Sequence, residues 1–125
     1  MQSMLQESAD RKRSVEWLRH AALQSRPLFE ERRQRGWEVA RRAARWLRER
    51  YGATRVRVFG SLLYPSRFDF RSDIDLAVEG LDIKHYWEAV THLYFFDDEI
   101  SVELVDQDSC SETIWAVVGR EGVDV

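Results

Sequence analysis

The first 51 residues of the chain repeat apolar positions at the spacing of a helix. Apolar residues at i, i+3 and i+7 predict one helix over residues 4–26. Pro27 lacks an amide hydrogen and restricts the residue before it, so we expect this helix to end there. A second helix is predicted to follow and to end near Tyr51, with Gly52 as its C-cap. The apolar positions of the two helices are Val15, Trp17, Leu18, Ala21 and Ala22 in the first, and Trp37, Ala40, Ala43, Ala44, Trp46 and Leu47 in the second.

After Gly52 the pattern changes to an alternation of apolar and polar residues, which is typical of half-buried strands. Strands are predicted at residues 55–59, 73–78 and 100–105, with a short edge strand at 122–125. A helical turn and a loop are predicted over residues 62–72, and helices over 83–96 and 111–119. The apolar face of the helix over 83–96 is formed by Ile83, Trp87, Val90 and Tyr94.

This order of elements, α-α-β-(α)-β-α-β-α-(β), predicts a small mixed α/β (α+β) domain. We expect a small mixed sheet with helices on one face, preceded by two N-terminal helices. The predicted division places an N-terminal helical extension in residues 1–51 and the core of the domain in residues 52–125.

Composition narrows the class of protein. The chain has 125 residues, 44% of them apolar, which suits one domain with a core of its own. No apolar run approaches the ~18 residues of a membrane span, and the first residues lack the layout of a signal peptide. The single cysteine, Cys110, excludes an internal disulfide and a cysteine-based zinc site. We therefore expect a soluble cytoplasmic domain.

Charge is distributed unevenly along the chain. Residues 1–51 carry 13 Lys and Arg against 7 Asp and Glu, a net charge of +6, whereas residues 52–125 carry 6 against 15, a net charge of −9. An acidic half suits metal ions, and a basic half suits nucleic acid, an acidic protein surface or the acidic half itself. Composition alone leaves these alternatives open.

The parity of the strands brings three carboxylates to one side of the predicted sheet. Side chains at i and i+2 share a face, so Asp73 and Asp75 lie opposite the apolar residues of their strand. Glu103 lies opposite the apolar residues of the third strand in the same way. Carboxylates gathered in one place repel each other, and a divalent cation with a preference for oxygen ligands, magnesium or manganese, relieves that repulsion. Solvent-facing acids are the alternative interpretation.

Gly60 and Ser61 end the strand that precedes these acids. A glycine followed by a hydroxyl residue, at the start of a helical turn, offers bare backbone amides and a hydrogen-bond donor to a phosphate. An ordinary strand-ending turn is the alternative. The combination of this turn with the acids at 73, 75 and 103 is much less expected by chance than either feature alone, and it favours a phosphate site.

Three segments together resemble a known family. Val58-Phe59-Gly60-Ser61, Ser72-Asp73-Ile74-Asp75-Leu76 and Val102-Glu103-Leu104-Val105 are similar to the motifs of the minimal nucleotidyltransferase domain of the DNA polymerase beta-like superfamily. The resemblance covers roughly residues 52–125 and implies a nucleotidyltransferase-like fold.

The resemblance also implies a set of roles. Gly60 and Ser61 would hold the β- and γ-phosphates of ATP. Asp73 and Asp75 would bind two magnesium ions, and Glu103 would share a metal and help to deprotonate the attacking hydroxyl. Two metal ions would then activate the nucleophile and steady the leaving pyrophosphate.

The chain departs from the family pattern in three ways. The segment between Ser61 and Asp73 is one residue longer than usual, Pro65 stands where a second glycine is common, and Glu103 replaces a shorter acid. These differences bear on nucleotide affinity and on the rate of turnover.

The small size of the chain bears on what accepts the nucleotide. With about 75 residues in the core, there is no room for a separate acceptor-binding domain, so the acceptor is expected on another macromolecule. Small domains of this type resemble the antitoxin of HEPN/MNT toxin–antitoxin pairs, which implies transfer of AMP to a tyrosine of a helical HEPN-type toxin. Trp17, Trp37 and Trp46 fit either an interface or internal packing.

Two alternatives remain at this point: a binding module that neutralises its partner by occlusion, and a nucleotidyltransferase that acts on RNA or a small molecule. The arginines of the first half could contact RNA phosphate, but no RNA-binding module accompanies them. Nucleic acid and membrane are therefore not expected as partners.

Overall fold

The computed structural model describes the backbone of residues 2–125 and the side chains of residues 27–125. The helices are α1 (Gln2–Tyr51), α2 (Ile83–Tyr94) and α3 (Glu112–Glu121). The strands are β1 (Arg55–Phe59), β2 (Ile74–Glu79), β3 (Val102–Val105) and β4 (Val123–Asp124). A short 3-10 helix, Gly60–Leu63, follows β1. Within the described residues, no helix combines the length and the apolar character that a membrane crossing requires.

The four strands form one mixed sheet in the order β3-β2-β1-β4. β2 runs antiparallel to β1 and parallel to β3, and the short β4 pairs with the outer side of β1. The alternating segments predicted from the sequence are therefore all strands, and the edge strand near the end of the chain is confirmed. The positive φ of Gly52, +71°, ends α1 as expected of a C-cap glycine.

The prediction of two N-terminal helices is wrong, because α1 continues through Pro27 as a single helix of 50 residues. The φ angle that the proline ring imposes is compatible with a helix, so the chain loses one backbone hydrogen bond without having to turn. The apolar stripe predicted for residues 4–26 lies outside the residues whose side chains are described.

The last turns of α1 and the inner side of α2 cover one face of the sheet. Ala40, Ala43, Ala44 and Leu47 are fully buried, as predicted for the second half of α1. Trp37 and Trp46 are partly buried against the same core, which favours packing over an interface for these two side chains. The end of α1 thus shares one core with the sheet, although it precedes the predicted boundary between residues 51 and 52.

The apolar face predicted for α2 is not the face that packs. Tyr86, Ala89 and Leu93 are buried, whereas the side chains of Ile83 and Trp87 are 77% and 62% exposed. α2 has two apolar stripes, and helical periodicity alone does not show which of them meets the sheet. Val90 lies between the two and is partly buried.

α3 lies on the opposite face of the sheet from α1 and α2. Its Trp115 ring packs 5.4 Å from the guanidinium carbon of Arg57, and Arg57 points away from the buried Val56 and Val58 of β1. The expectation that helices cover one face therefore holds for α1 and α2, while α3 covers part of the second face. The mixed α/β fold is confirmed. Ser111 is the N-cap of α3, because its hydroxyl accepts a hydrogen bond from the Ile114 amide.

Candidate active site

Asp75 and Glu103 lie side by side on neighbouring strands. Register pairs Asp75 of β2 with Glu103 of β3 on one side and with Phe59 of β1 on the other. The apolar residues of β2 and β3, among them Leu76 and Leu104, face the core, so both carboxylates point to the second face as strand parity predicts. The sequence therefore places these two acids correctly.

The surroundings of the Asp75 carboxyl disfavour its charged form. Burial is the largest cause that raises its pKa, followed by the charge of Glu103, a hydrogen bond with Glu103 and the charge of Asp73; together they raise the pKa of Asp75 to about 7. A hydrogen bond between two carboxyl groups requires a proton on one of them. No cationic side chain within residues 27–125 forms an ion pair with Asp75. Asp75 is thus held beside like charges near neutral pH.

Asp73 lies just before β2 and is half-buried. Its charge contributes to the raised pKa of Asp75, so the two groups interact. Across residues 27–125, however, no three His, Cys, Asp or Glu side chains are arranged closely enough to hold a metal ion together. The two aspartates and Glu103 share a region of the second face without forming a closed cation site.

The turn at Gly60 lies directly against Asp75. Gly60 follows Phe59, the register partner of Asp75, and has a φ of +78°. A Cβ at this position would collide with Oδ2 of Asp75, so the close approach requires glycine. Ser61 follows as the second residue of the 3-10 helix and is half-buried. The structure thus brings the predicted phosphate turn and the predicted carboxylates to one place.

The loop between this turn and β2 is fixed by its own side chains. Asp69 accepts a hydrogen bond from the Arg71 amide at 2.8 Å, and the Ser72 hydroxyl accepts one from the Asp69 amide at 3.0 Å. The same hydroxyl donates to the carbonyl of Arg67 at 3.2 Å. Such side-chain to backbone bonds give the longer loop a defined path into Asp73.

Two arginines of α1 hold the segments on either side of the site. Arg33 Nε donates to the carbonyl of Leu62 at 3.0 Å, in the 3-10 helix that begins at Gly60. Arg32 Nε donates to the carbonyl of Asp69 at 3.0 Å, and its Nη2 lies 3.4 Å from the carbonyl of Ser72, the residue before Asp73. One turn of α1 therefore anchors both the turn at Gly60 and the loop that leads into Asp73.

Gly36 allows this helix to approach so closely. A Cβ at Gly36 would lie 2.8 Å from Leu62 Cδ1 and 3.2 Å from Phe68 Cζ. This role of Arg32 and Arg33 was not predicted from the sequence. The helical pattern contains no signal for it, because the acceptors are backbone carbonyls 29 to 40 residues away in sequence.

Comparisons with known proteins place this geometry in context. No family model and no curated protein sequence matches the chain. Among solved structures, the chain is similar to one of the toxin–antitoxin MntA-HpeT in a mutant form, with 29% identity and a TM-score of 0.52 over 68% of this chain and 69% of that chain. MntA is the minimal nucleotidyltransferase antitoxin.

A second similar structure is a toxin–antitoxin with AMP-PNP. It shows 29% identity and a TM-score of 0.52 over 65% of this chain and 67% of that chain. The resemblance to minimal nucleotidyltransferases that the motifs indicated is thereby confirmed, and the fold of the chain is nucleotidyltransferase-like.

Proposed function

We propose that this chain is a magnesium-dependent nucleotidyltransferase that acts as an antitoxin by transferring AMP from ATP to a tyrosine of a helical HEPN-type toxin. The observation that carries the proposal is the in-register pair of Asp75 and Glu103 directly beside the glycine turn at Gly60. The similarity to MntA-HpeT and to a toxin–antitoxin with AMP-PNP supports an antitoxin that binds a nucleotide.

The residues present fit a divalent cation. Asp73, Asp75 and Glu103 offer only carboxylate oxygens, the donor type that magnesium prefers, and the like charges that raise the pKa of Asp75 are those a cation would offset. In this structure the three side chains do not yet form a closed cation site, so Asp73, Asp75 and Glu103 would have to draw closer together to hold magnesium. Magnesium, when bound, would neutralise phosphate charge and lower the pKa of the attacking hydroxyl.

The chain's own groups have distinct parts in this proposal. The backbone amides at Gly60 and Ser61 and the Ser61 hydroxyl would orient the β- and γ-phosphates, and Arg32 and Arg33 keep that turn and the Asp73 loop in position. The tyrosine oxygen of the partner would form a bond to the α-phosphorus while the bond to the β-phosphate oxygen breaks and pyrophosphate leaves. The Glu103 carboxylate would accept the hydroxyl proton.

The test uses ATP labelled at the α-phosphate, magnesium and the product of the gene next to the one that encodes this chain. Label is expected on the partner protein with wild type, and none with Asp75→Ala. Asp98→Ala removes an exposed acid outside the site and is expected to label the partner like wild type.

Three results would contradict the proposal. Labelling by Asp75→Ala at the wild-type rate would exclude Asp75 from the chemistry. Label in RNA or in a small molecule, and none in the partner protein, would favour a nucleotidyltransferase that acts on RNA or on a small molecule. If the Asp75→Ala variant transfers no label and still neutralises the partner, the result would favour an antitoxin that acts by occlusion.

A further inference from the structure

The outward side of α2 is an exposed apolar surface that the proposed chemistry does not use. We define the outer α2 face as Ile83, Trp87, Tyr94 and Phe95. Their side chains are 77%, 62%, 52% and 75% exposed. The Tyr94 and Phe95 rings pack edge to face with centroids 5.0 Å apart. Scattered exposed apolar residues are ordinary, but aromatic residues grouped along one helix are typical of the centre of a protein interface.

Acidic residues border this face. A shallow cavity of about 130 Å³ beside Ile83 and Trp87 is also lined by Asp106 and Asp108. Asp82 precedes the helix, whereas Glu88 on the flank of α2 is paired with Arg50 of α1. Lys84 is the sole Lys or Arg between residues 72 and 119 of the sequence, a segment that holds 12 Asp and Glu. The outer α2 face is therefore apolar at its centre, and its border beside Ile83 and Trp87 is negative.

This charge pattern favours some binding partners of the outer α2 face over others. Two copies of the same face packed together would bring acidic borders against each other, and like charges across an interface disfavour association. A helix with an apolar stripe flanked by Arg or Lys would match both the centre and the border. α2 spans 12 residues, roughly 18 Å, which is enough for three anchor positions of such a helix.

We propose that the outer α2 face docks a basic amphipathic helix of the toxin partner. This inference rests on the toxin partner named in the proposed function. α2 packs on the apolar face of the sheet, whereas Asp75 and Glu103 point to the second face, so docking leaves the carboxylates uncovered. A part of the partner other than the docked helix would therefore have to carry the tyrosine to the carboxylates. Asp75→Ala is expected to remove the chemistry and leave binding intact, whereas substitutions on the outer α2 face are expected to weaken both.

The experiment measures binding of the neighbouring gene's product to the full chain by titration calorimetry. Trp87→Arg, which places a cation at the centre of the face, is expected to weaken binding by about tenfold or more. Asp108→Lys is expected to weaken binding and to reduce its dependence on salt, because one attractive charge becomes repulsive. The control is Ile114→Arg, a partly exposed position on α3, which is expected to bind like wild type.

Folding of each variant is checked by the shift in melting temperature that ATP and magnesium produce, which the outer face should not affect. A further substitution in the centre of the face, Ile83→Lys, is expected to leave that shift intact and to weaken binding as Trp87→Arg does, because it places a cation in the apolar centre. Both substituted side chains are more than half exposed, so neither creates a cavity in the core.

The outcomes separate this proposal from the proposed function. Equal binding by wild type and Trp87→Arg overturns the docking face while the toxin partner stands. A wild-type dimer that Trp87→Arg converts to monomer, with unchanged toxin binding, overturns it in favour of a second copy. Binding that is lost in Trp87→Arg, with no label ever transferred, supports the docking face and contradicts the chemistry. No binding by wild type overturns both.

Discussion

Two charged groups lie on the second face of the sheet, one towards each end, and their surroundings differ. Arg57 is buried, but its Nη2 lies 3.2 Å from Oε2 of Glu79 and its guanidinium packs on the Trp115 ring. Asp75 is partly buried, and the groups that act on it are the like charges of Glu103 and Asp73. The same face thus contains one charge that is compensated and one that is not.

This difference is the one expected if the Arg57 end of the face serves stability and the Asp75 end serves the proposed chemistry. A buried charge with a partner and a packed ring is stable in the folded protein, whereas clustered carboxylates cost stability unless a ligand compensates them. Natural proteins break the rules of good packing mainly at functional sites. Measurements of stability can therefore test the assignment of the two ends without any knowledge of the substrate.

The largest effect is expected from breaking the compensated end. Glu79→Ala leaves the Arg57 guanidinium without its carboxylate partner in a buried position, so the free energy of unfolding should fall by about 2 kcal/mol. Urea unfolding measures it. The control is Glu88→Ala, which removes an exposed pair with Arg50 and should change stability by less than about 0.5 kcal/mol. Equal effects of the two substitutions would contradict the distinction.

Gly60→Ala is expected to have the next largest effect. Alanine at a φ of +78° is strained by about 1–2 kcal/mol, and its Cβ collides with the Asp75 carboxylate. Gly52→Ala has nearly the same φ, +71°, with no atom within 4 Å of the new Cβ, so it measures the strain alone. Unfolding experiments should show a greater loss for Gly60→Ala, and the binding of ATP should weaken only there. Identical losses would mean that the contact with Asp75 has no energetic effect.

The smallest effect, and one of opposite sign, is expected from Asp75→Asn. The folded pKa of Asp75, about 7, lies above its ordinary value of 3.8, so folding favours the neutral form and wild type loses this stability as the pH rises from about 4 to above 7. The variant should gain about 1 kcal/mol over wild type at pH 8 and have little or no advantage at pH 4. Magnesium should raise the melting temperature of wild type more than that of the variant. A constant difference across this pH range would refute the role of like charges.

Strand parity is the part of the structure that the sequence predicted best. Alternation of apolar and polar residues in β2 and β3 requires Asp75 and Glu103 to face away from Leu76 and Leu104, and the register then pairs the two acids. The turn after β1 was also predicted, from Gly60 and Ser61. The pairing of Phe59 with Asp75 then places that turn beside the carboxylate.

Helices were predicted less well, for physical reasons. The periodicity of α2 is satisfied both by Tyr86, Ala89 and Leu93 and by the outer α2 face, and only packing against the sheet decides between them. Pro27 does not end α1, because the φ angle that its ring imposes is compatible with a helix and the chain loses only one backbone hydrogen bond there. Arg32 and Arg33 bond to backbone carbonyls, which carry no side-chain pattern that a sequence could reveal.

The bonds of Arg32 and Arg33 make the rotational setting of α1 part of the site. Both arginines precede the stretch of α1 that packs in the core, so their orientation depends on the number of residues between them and that stretch. A single residue inserted after Arg33 would rotate both side chains by about 100° about the helix axis relative to the core. The glycine turn and the aspartate loop would then lose their common support even though every side chain of the site is still present.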